Sequence, residues 1–250
     1  MRKRILEELQ KIEKTHNVKI IMAIESRSRA WGFASPDSDY DVRFIYVRNK
    51  ADYLKLEGIR DVIEWKLDEI LDINGWDVKK ALQLLHKSNP TIFEWCASPI
   101  VYLATSDFEI LKKVMPGYFS EKKALYHYWH MAQTNYREYL KGEEVRIKKY
   151  FYVLRPLLAA QWILDKKTAP PMLFDELVEA ELDERLLPEL NRLLELKKTL
   201  LEMGMAPKVQ IFNDYIEKIM PEIKDAAEKI EDTEKDWGTL NELFLQFVNN

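Results

Sequence analysis

The chain has 250 residues, of which 47% are apolar and 32% are charged, and its formal net charge is −4. This length allows one large core or two smaller ones, and the charge balance offers no overall basic excess for nucleic-acid binding. The single cysteine, Cys96, excludes an internal disulfide framework and a cysteine-rich zinc site. The glycine spacing excludes a G-x-G-x-x-G dinucleotide loop, and the absence of Gly-Lys-Ser and Gly-Lys-Thr excludes a P-loop.

The N-terminal stretch is charged and patterned as a helix, without the apolar segment of a secretory signal. No window approaches the ~18 uninterrupted apolar residues of a membrane span. We therefore expect a soluble, cytoplasmic protein with no membrane partner.

The first half of the chain mixes helix and strand patterns. Helical spacing predicts four helices, over residues 2–15, 78–87, 90–95 and 107–115. Short apolar or alternating runs predict five strands, over residues 18–24, 41–47, 60–67, 69–73 and 100–103. Asn74-Gly75 predicts a turn directly after the fourth strand, and Asp77 is the expected N-cap of the helix that follows.

From Ser120 onward, strand patterns disappear and helical ones dominate. Six helices are predicted, over residues 121–140, 143–164, 175–180, 183–203, 207–230 and 236–248. Pro156 predicts a kink or junction in the second of them, Asp183 is the expected cap of the fourth, and Gly204 its end. The pattern predicts an α+β fold in which an α/β domain (1–117) precedes a helical-bundle domain (118–250).

The stretch from Glu25 to Ile45 joins the first two predicted strands and carries small polar residues and three aspartates. Asp39 and Asp41 are two residues apart, so in a strand both carboxylates point to one face. Two carboxylates beside a turn rich in hydroxyls and amides suit a divalent metal that holds the phosphates of a nucleotide. Ordinary turn chemistry, favoured by Pro36-Asp-Ser-Asp39, is the alternative explanation.

Several of these motifs together resemble a known family. Ser28, the segment Arg29-Ala-Trp-Gly32 and Asp39-Tyr-Asp41 before an apolar run resemble the DNA polymerase beta superfamily of nucleotidyltransferases. The full string from Glu25 to Phe44 is similar to the YcgL-type predicted nucleotidyltransferases, also called RNA-ligase-associated phosphotransferases. Five further segments share this resemblance: Asp72–Asp77, Lys87–Pro90, Glu94-Trp95, Ser98–Tyr102 and Lys148–Pro156.

The resemblance implies a nucleotidyltransferase-type α/β domain with a short mixed sheet, a divalent metal, Mg²⁺ or Mn²⁺, bound chiefly by Asp39 and Asp41, and a nucleoside triphosphate as substrate. It also implies a third catalytic and metal-binding carboxylate between apolar residues on a neighbouring strand. We predict Asp72 for this role, because the turn predicted at Asn74-Gly75 would put it at a strand end. Glu64, between Ile63 and Trp65, is the alternative.

The resemblance further implies nucleotide contacts from Ser26, Arg27 and Ser28, but the family has glycine where this chain has Arg27. Glycine tolerates a positive φ and a close phosphate, whereas an arginine either obstructs the triphosphate or adds a cation for it.

In the helical half, Lys148, Tyr152 and Arg155 lie four and seven residues apart and share a helical face. The resemblance implies that they contact the nucleotide, with a solvated basic stripe around a core tyrosine as the alternative. Lys149, on the other side of the helix, is expected to face solvent.

The predicted function is that of a Mg²⁺-dependent nucleotidyltransferase, which transfers a nucleoside monophosphate to an unidentified acceptor and releases pyrophosphate. RNA is a candidate acceptor, suggested by the family name. A degenerate, non-catalytic nucleotide- or RNA-binding protein of the same fold is one alternative, and a dimeric scaffold is another. The sequence predicts no particular oligomeric state.

Overall fold

The computed structural model of the chain describes residues 1–35, 38–66, 68–199 and 205–250. It has two compact units: the first comprises Met1–Ala30, Asp39–Tyr118 and Glu234–Asn250, and the second comprises Trp31–Ser38 and Phe119–Thr233. One crossing between the units falls near the predicted boundary at residue 117. The chain also crosses near residues 30, 38 and 233, so a single cut into 1–117 and 118–250 does not describe this division.

The first unit is built on a five-stranded sheet. In chain order its strands are β1 (Val18–Glu25), β2 (Tyr40–Arg48), β3 (Val62–Lys66), β4 (Leu71–Asp77) and β5 (Val101–Ala104). Their spatial order is β3-β4-β2-β1-β5. The β2–β4 pair is parallel and the other three pairs are antiparallel. The mixed sheet predicted from the sequence is therefore confirmed, and β2 lies in its middle.

Helices cover this sheet because their apolar residues recur at helical spacing. The helices of this part of the chain are α1 (Arg2–His16), α2 (Arg27–Ala30), α3 (Lys50–Tyr53), α4 (Val78–His86), α5 (Pro90–Cys96) and α6 (Ser106–Val114). Ile5, Leu9 and Ile12 of α1 join a buried cluster with Phe44 and Tyr46 of β2. The predicted cap of α4 is confirmed, since the Asp77 carboxylate accepts the Lys79 N–H at 2.8 Å.

The turn predicted at Asn74-Gly75 is wrong, because β4 runs straight through both residues. Gly75 pairs with Phe44 on one side and Ile63 on the other. A Cβ at this position would lie 2.2 Å from Cε2 of Phe44. The glycine therefore allows a buried aromatic ring to pass close over the backbone, a tertiary requirement that outweighs the turn preference of the dipeptide.

The second unit consists mainly of helices: α7 (Glu121–Tyr139), α8 (Ile147–Lys166), α9 (Phe174–Glu181), α10 (Leu187–Thr199) and α11 (Gln210–Lys229). It also contains two short paired strands, β6 (Glu144–Arg146) and β7 (Met205–Pro207), which the sequence pattern did not predict. Helix α8 continues through Pro156. Asp183 caps the turn before α10 by accepting the Arg185 N–H at 3.0 Å, whereas the helix end predicted at Met203-Gly204 lies outside the described residues.

The last helix, α12 (Gly238–Asn249), belongs to the first unit rather than to the helical one. His86 of α4 stacks on Trp237 with ring centroids 3.5 Å apart, and Lys50 Nζ donates to Asn249 Oδ1 at 3.0 Å. These contacts hold the C-terminal segment against α3 and α4. Among the described residues, no helix is both long enough and apolar enough to cross a membrane.

Candidate functional site

Two predicted carboxylates lie side by side on the central strands of the first unit. Because β2 and β4 are parallel neighbours, Asp41 and Asp72 are register partners near the starts of their strands. Asp41 is 6% exposed, whereas 45% of the Asp72 side chain is exposed. The pair therefore has one buried and one accessible carboxylate.

Arg43 joins these two carboxylates. Its Nη2 donates to Asp41 Oδ1 at 3.0 Å and to Asp72 Oδ2 at 2.8 Å. Its Nη1 donates to the backbone carbonyls of Val42 at 2.9 Å and Asp72 at 3.2 Å. The sequence analysis missed this residue, although the alternation that places Asp39 and Asp41 on one face of a strand also places Arg43 there.

Arg27 adds a second cation on the same carboxylate. Its Nη1 lies 3.0 Å from Asp41 Oδ1, and 60% of its side chain is exposed. Its φ is 53°, in the left-handed region that favours glycine. The turn thus has the conformation that explains a glycine in the family pattern, and here an arginine adopts it.

Glu25 supports the site from within the sheet. Its fully buried carboxylate accepts the Asp41 N–H at Oε1, 2.7 Å away, and the Tyr102 hydroxyl donates to Oε2 at 2.5 Å. The N–H of Ser26 donates to the Asp41 carbonyl at 2.9 Å. Glu25 therefore holds the start of β2 against the end of β1. Sequence analysis did not single out Glu25, since its role depends on partners distant along the chain.

Burial has the largest effect on the pKa of Glu25 and on that of Asp41. It raises the pKa of Glu25, with a smaller contribution in the same direction from the Asp41 charge and opposition from the hydrogen bonds of Tyr102 and Asp41. Burial also raises the pKa of Asp41, although Arg27 and Arg43 oppose this shift.

Asp39 and Glu64 occupy different positions from this pair. Asp39 is exposed, and its carbonyl accepts Arg29 Nε–H at 3.0 Å. Glu64 lies opposite Asn74 on the edge strand β3, one strand further from β2 than Asp72. Of the predicted Pro36–Asp39 turn, Pro36 and Asp37 lie outside the described residues.

The carboxylate oxygens of Asp41 and Asp72 are potential ligands for a divalent metal. Across residues 1–35, 38–66, 68–199 and 205–250, no three or more His, Cys, Asp or Glu side chains form a metal-binding group. Asp39 is thus not assembled with the other two predicted ligands. Asp41 and Asp72 nevertheless share one cationic nitrogen, and carboxylate oxygens are the donors that Mg²⁺ prefers. The pair fits a hard divalent cation.

The predicted nucleotide contacts from the helical half all lie on α8 in the second unit. Arg155 is 2% exposed, its guanidinium lies 4.7 Å from the ring centroid of Trp31, and its Nη2 donates to the Met172 carbonyl at 3.3 Å. The Tyr152 ring meets Trp31 edge-on at 5.5 Å. Lys148 is half-buried. Arg155 thus belongs to the interior of this unit, and roles for the three residues toward a nucleotide stay predictions.

The sequence predicted that Lys149 faces solvent, but its side chain lies against two tyrosine rings. Its Nζ lies 3.5 Å from the ring centroid of Tyr139 and 5.3 Å from that of Tyr152. Partial burial lowers the pKa of Lys149, and the neighbouring charges of Lys148 and Arg146 lower it further. The helical pattern of α8 does not predict this contact, because Tyr139 belongs to the end of α7 and the segment between the two helices brings it beside Lys149.

The fold and the carboxylate pair define an α+β protein with an acidic site at the starts of two parallel central strands. Residues 1–246 match the model of the RNA repair pathway DNA polymerase beta family, and the chain belongs to that family. It is 45% identical over 251 residues to the uncharacterized protein YcgL of Bacillus subtilis (strain 168), over 99% of this chain and 96% of that protein.

A solved structure also resembles the chain. It is the crystal structure of a nucleotidyltransferase-like protein from Exiguobacterium sibiricum 255-15, with 15% identity and a TM-score of 0.32, over 88% of this chain and 73% of that one. The family match confirms the resemblance found in the sequence. Membership of this family indicates a nucleotidyltransferase of the DNA polymerase beta type.

Proposed function

We propose that this protein is a Mg²⁺- or Mn²⁺-dependent nucleotidyltransferase. It transfers a nucleoside monophosphate from a nucleoside triphosphate to an acceptor oxygen and releases pyrophosphate. The observation that carries this proposal is the pairing of Asp41 and Asp72 across parallel strands, with both carboxylates bonded to the same cationic nitrogen. Membership of the RNA repair pathway DNA polymerase beta family supports the same reaction class.

The residues of the chain have distinct tasks in this reaction. Asp41 and Asp72 would hold the cation, with Asp39, just before β2, as the third predicted ligand. A bound divalent metal supplies charge neutralisation for the triphosphate and acidifies the acceptor hydroxyl. Glu25 holds Asp41 in position by accepting a hydrogen bond from the backbone N–H of Asp41.

In this proposal, polar and cationic groups of the chain bind the nucleotide. Ser26, Arg27 and Ser28, at the junction of β1 and α2 where Arg27 has the left-handed conformation, contact the phosphates. Lys148, Tyr152 and Arg155 of α8 keep the nucleotide contacts that the family resemblance implies for them, with Lys148 and Arg155 as cations and Tyr152 as an aromatic ring. RNA is the proposed acceptor, on the basis of the family description.

The reaction is tested by labelling. The full chain is incubated with each α-³²P nucleoside triphosphate, Mg²⁺ or Mn²⁺, and RNA oligonucleotides that end in a hydroxyl or a phosphate. We expect metal-dependent transfer of label to RNA and stoichiometric release of pyrophosphate. Asp41→Asn and Asp72→Asn should each reduce the rate by about 100-fold or more, because each removes a charge that binds the metal.

Asp61→Asn is the matched control, since Asp61 is an exposed aspartate of the same unit that pairs with Lys80 at 3.0 Å. It should retain the activity of the natural sequence. Equal activity in Asp72→Asn and Asp61→Asn would refute the assignment of Asp72, and Glu64→Gln then tests the alternative carboxylate. Absence of pyrophosphate release with all four triphosphates would refute the catalytic proposal.

A non-catalytic nucleotide-binding protein is the second candidate, and one observation favours it. Two arginines already neutralise Asp41, and the described part of the chain holds no three-carboxylate metal group. This candidate predicts triphosphate binding that neither depends on a divalent metal nor leads to pyrophosphate release. Arg27→Gly discriminates further: recovered activity in that variant identifies Arg27 as the residue that silences the site.

A further inference from the structure

The charges at the carboxylate pair are balanced before any ligand arrives. Asp41 and Asp72 supply two negative charges, and Arg43 and Arg27 supply two positive ones within ion-pair distance. A divalent cation that approaches these carboxylates therefore meets less attraction than two aspartates alone would provide.

Arg43 is a fixed part of this balance. Its side chain is only 10% exposed, and all four hydrogen bonds of its Nη groups are to the two carboxylates and two backbone carbonyls. Backbone acceptors do not move away when a metal binds, and a guanidinium does not lose its proton in proteins. The positive charge of Arg43 therefore stays beside the two aspartates.

We propose that Arg43 is a resident counter-cation that makes divalent-metal binding conditional on the nucleotide. Alone, a metal ion is repelled by Arg43 and binds weakly. A triphosphate brings the negative charge that offsets Arg43, so metal and nucleotide load together. This proposal rests on the proposed nucleotidyltransferase function and assigns Arg43 a positioning and gating role at the same site.

Arg27 provides a matched comparison within the same site. Its Nη1 and the Nη2 of Arg43 both lie 3.0 Å from Asp41 Oδ1. The Arg27 side chain is 60% exposed and the Arg43 side chain is 10% exposed. Solvent and salt screen an exposed charge much more than a buried one. The two arginines should therefore differ strongly in their effect on metal affinity, despite equal distances.

Mn²⁺ binding to the full chain measures this effect directly. Free Mn²⁺ is followed by electron paramagnetic resonance, with and without each α,β-methylene nucleoside triphosphate, and Mn²⁺ bound by the nucleotide alone is subtracted. The natural sequence should bind Mn²⁺ at least about 10-fold more tightly with its preferred nucleotide than without. Arg43→Gln should tighten binding of Mn²⁺ alone by roughly 10-fold or more, as expected for one poorly screened unit charge nearby.

Two further variants separate charge from folding. Arg27→Gln should change the affinity for Mn²⁺ alone by less than about threefold, because its charge is screened. Arg43→Lys keeps the charge and should bind Mn²⁺ as weakly as the natural sequence. If Arg43→Gln does not fold, Arg43→Lys and the natural sequence decide the matter, since a tightened Arg43→Lys overturns the proposal.

Tight Mn²⁺ binding by the natural sequence without nucleotide would overturn the gating role of Arg43 and leave the proposed function intact. If folded Arg43→Gln binds Mn²⁺ without nucleotide as weakly as the natural sequence does, the gating role of Arg43 is likewise overturned and the proposed function stays intact. Lack of Mn²⁺ binding with every nucleotide would overturn both proposals.

Discussion

Gly75→Ala should strongly destabilise the first unit. The added Cβ would lie 2.2, 2.3 and 2.5 Å from Cε2, Cζ and Cδ2 of Phe44. Carbon atoms normally pack about 3.5–4.0 Å apart, so the ring or one strand must move by more than ~1 Å. The Phe44 ring is fully buried in the core of the first unit.

The expected cost follows from the packing of this position. Overpacking of a well-filled core typically costs about 1–3 kcal/mol, occasionally more. We expect a loss near 3 kcal/mol, because three ring atoms are contacted at once and both neighbouring strands are paired to Gly75. For a chain of this size such a loss lowers Tm by roughly 6–12 °C.

Urea denaturation and thermal melting of Gly75→Ala, Phe44→Leu and the double variant measure this coupling. Phe44→Leu removes the ring atoms that the new Cβ would meet, so the double variant should be at least ~1 kcal/mol more stable than additivity predicts. Gly75→Ala with a free energy of unfolding within about 0.5 kcal/mol of the natural sequence would refute the reasoning. Strict additivity would also refute it.

Three further predictions concern single residues of the first unit. Arg27→Gly should be about 1 kcal/mol more stable than Arg27→Ala, because φ is 53° at this position and only glycine adopts it without strain; equal melting temperatures would contradict this. Burial raises the pKa of Glu25 above its ordinary 4.5, so the folded chain retains this proton to higher pH and stability falls as the pH rises past 4.5. Glu25→Gln should therefore gain stability relative to the natural sequence between acid and neutral pH in urea titrations, whereas a constant difference would contradict the assignment. Asp77→Ala should cost about 2 kcal/mol and Asp77→Ser less, because serine can still accept the Lys79 N–H that caps α4; equal urea midpoints would count against the cap.

Much of the fold could be predicted because sequence patterns within a few residues specify most of its helices and strands. The cap at Asp77 and the helix start at Asn89-Pro90 depend on residues two or three positions away, and both occur as expected. The strands of the sheet also followed from short apolar runs separated by turn residues, whereas the mixed pairing of these strands was expected from the family resemblance. The strand through Gly75 could not be predicted this way, because it depends on the ring of Phe44, 31 positions earlier in the chain.

The candidate site, too, was predictable from local sequence patterns only in part. Alternation in β2 put Asp41 and Arg43 on one face, and the sequence alone contained that information. Asp39 precedes β2 and is exposed. The choice of Asp72 rested on a turn that does not exist, and its place beside Asp41 comes from the parallel pairing of β2 with β4. Parallel pairing requires a connection through other structure, so no local pattern specifies which residues become neighbours.

The sequence by itself determined where most helices and strands lie, which family the chain resembles, and which strand carries the acidic motif. Only the tertiary structure decided that Arg43 bridges Asp41 and Asp72, that Glu25 holds Asp41, and that residues 234–250 return to the first unit. The physical reason is the range of the interactions. Helix periodicity, strand alternation and capping act over a few residues, whereas register, burial and ion pairing join residues that only the folded chain brings together.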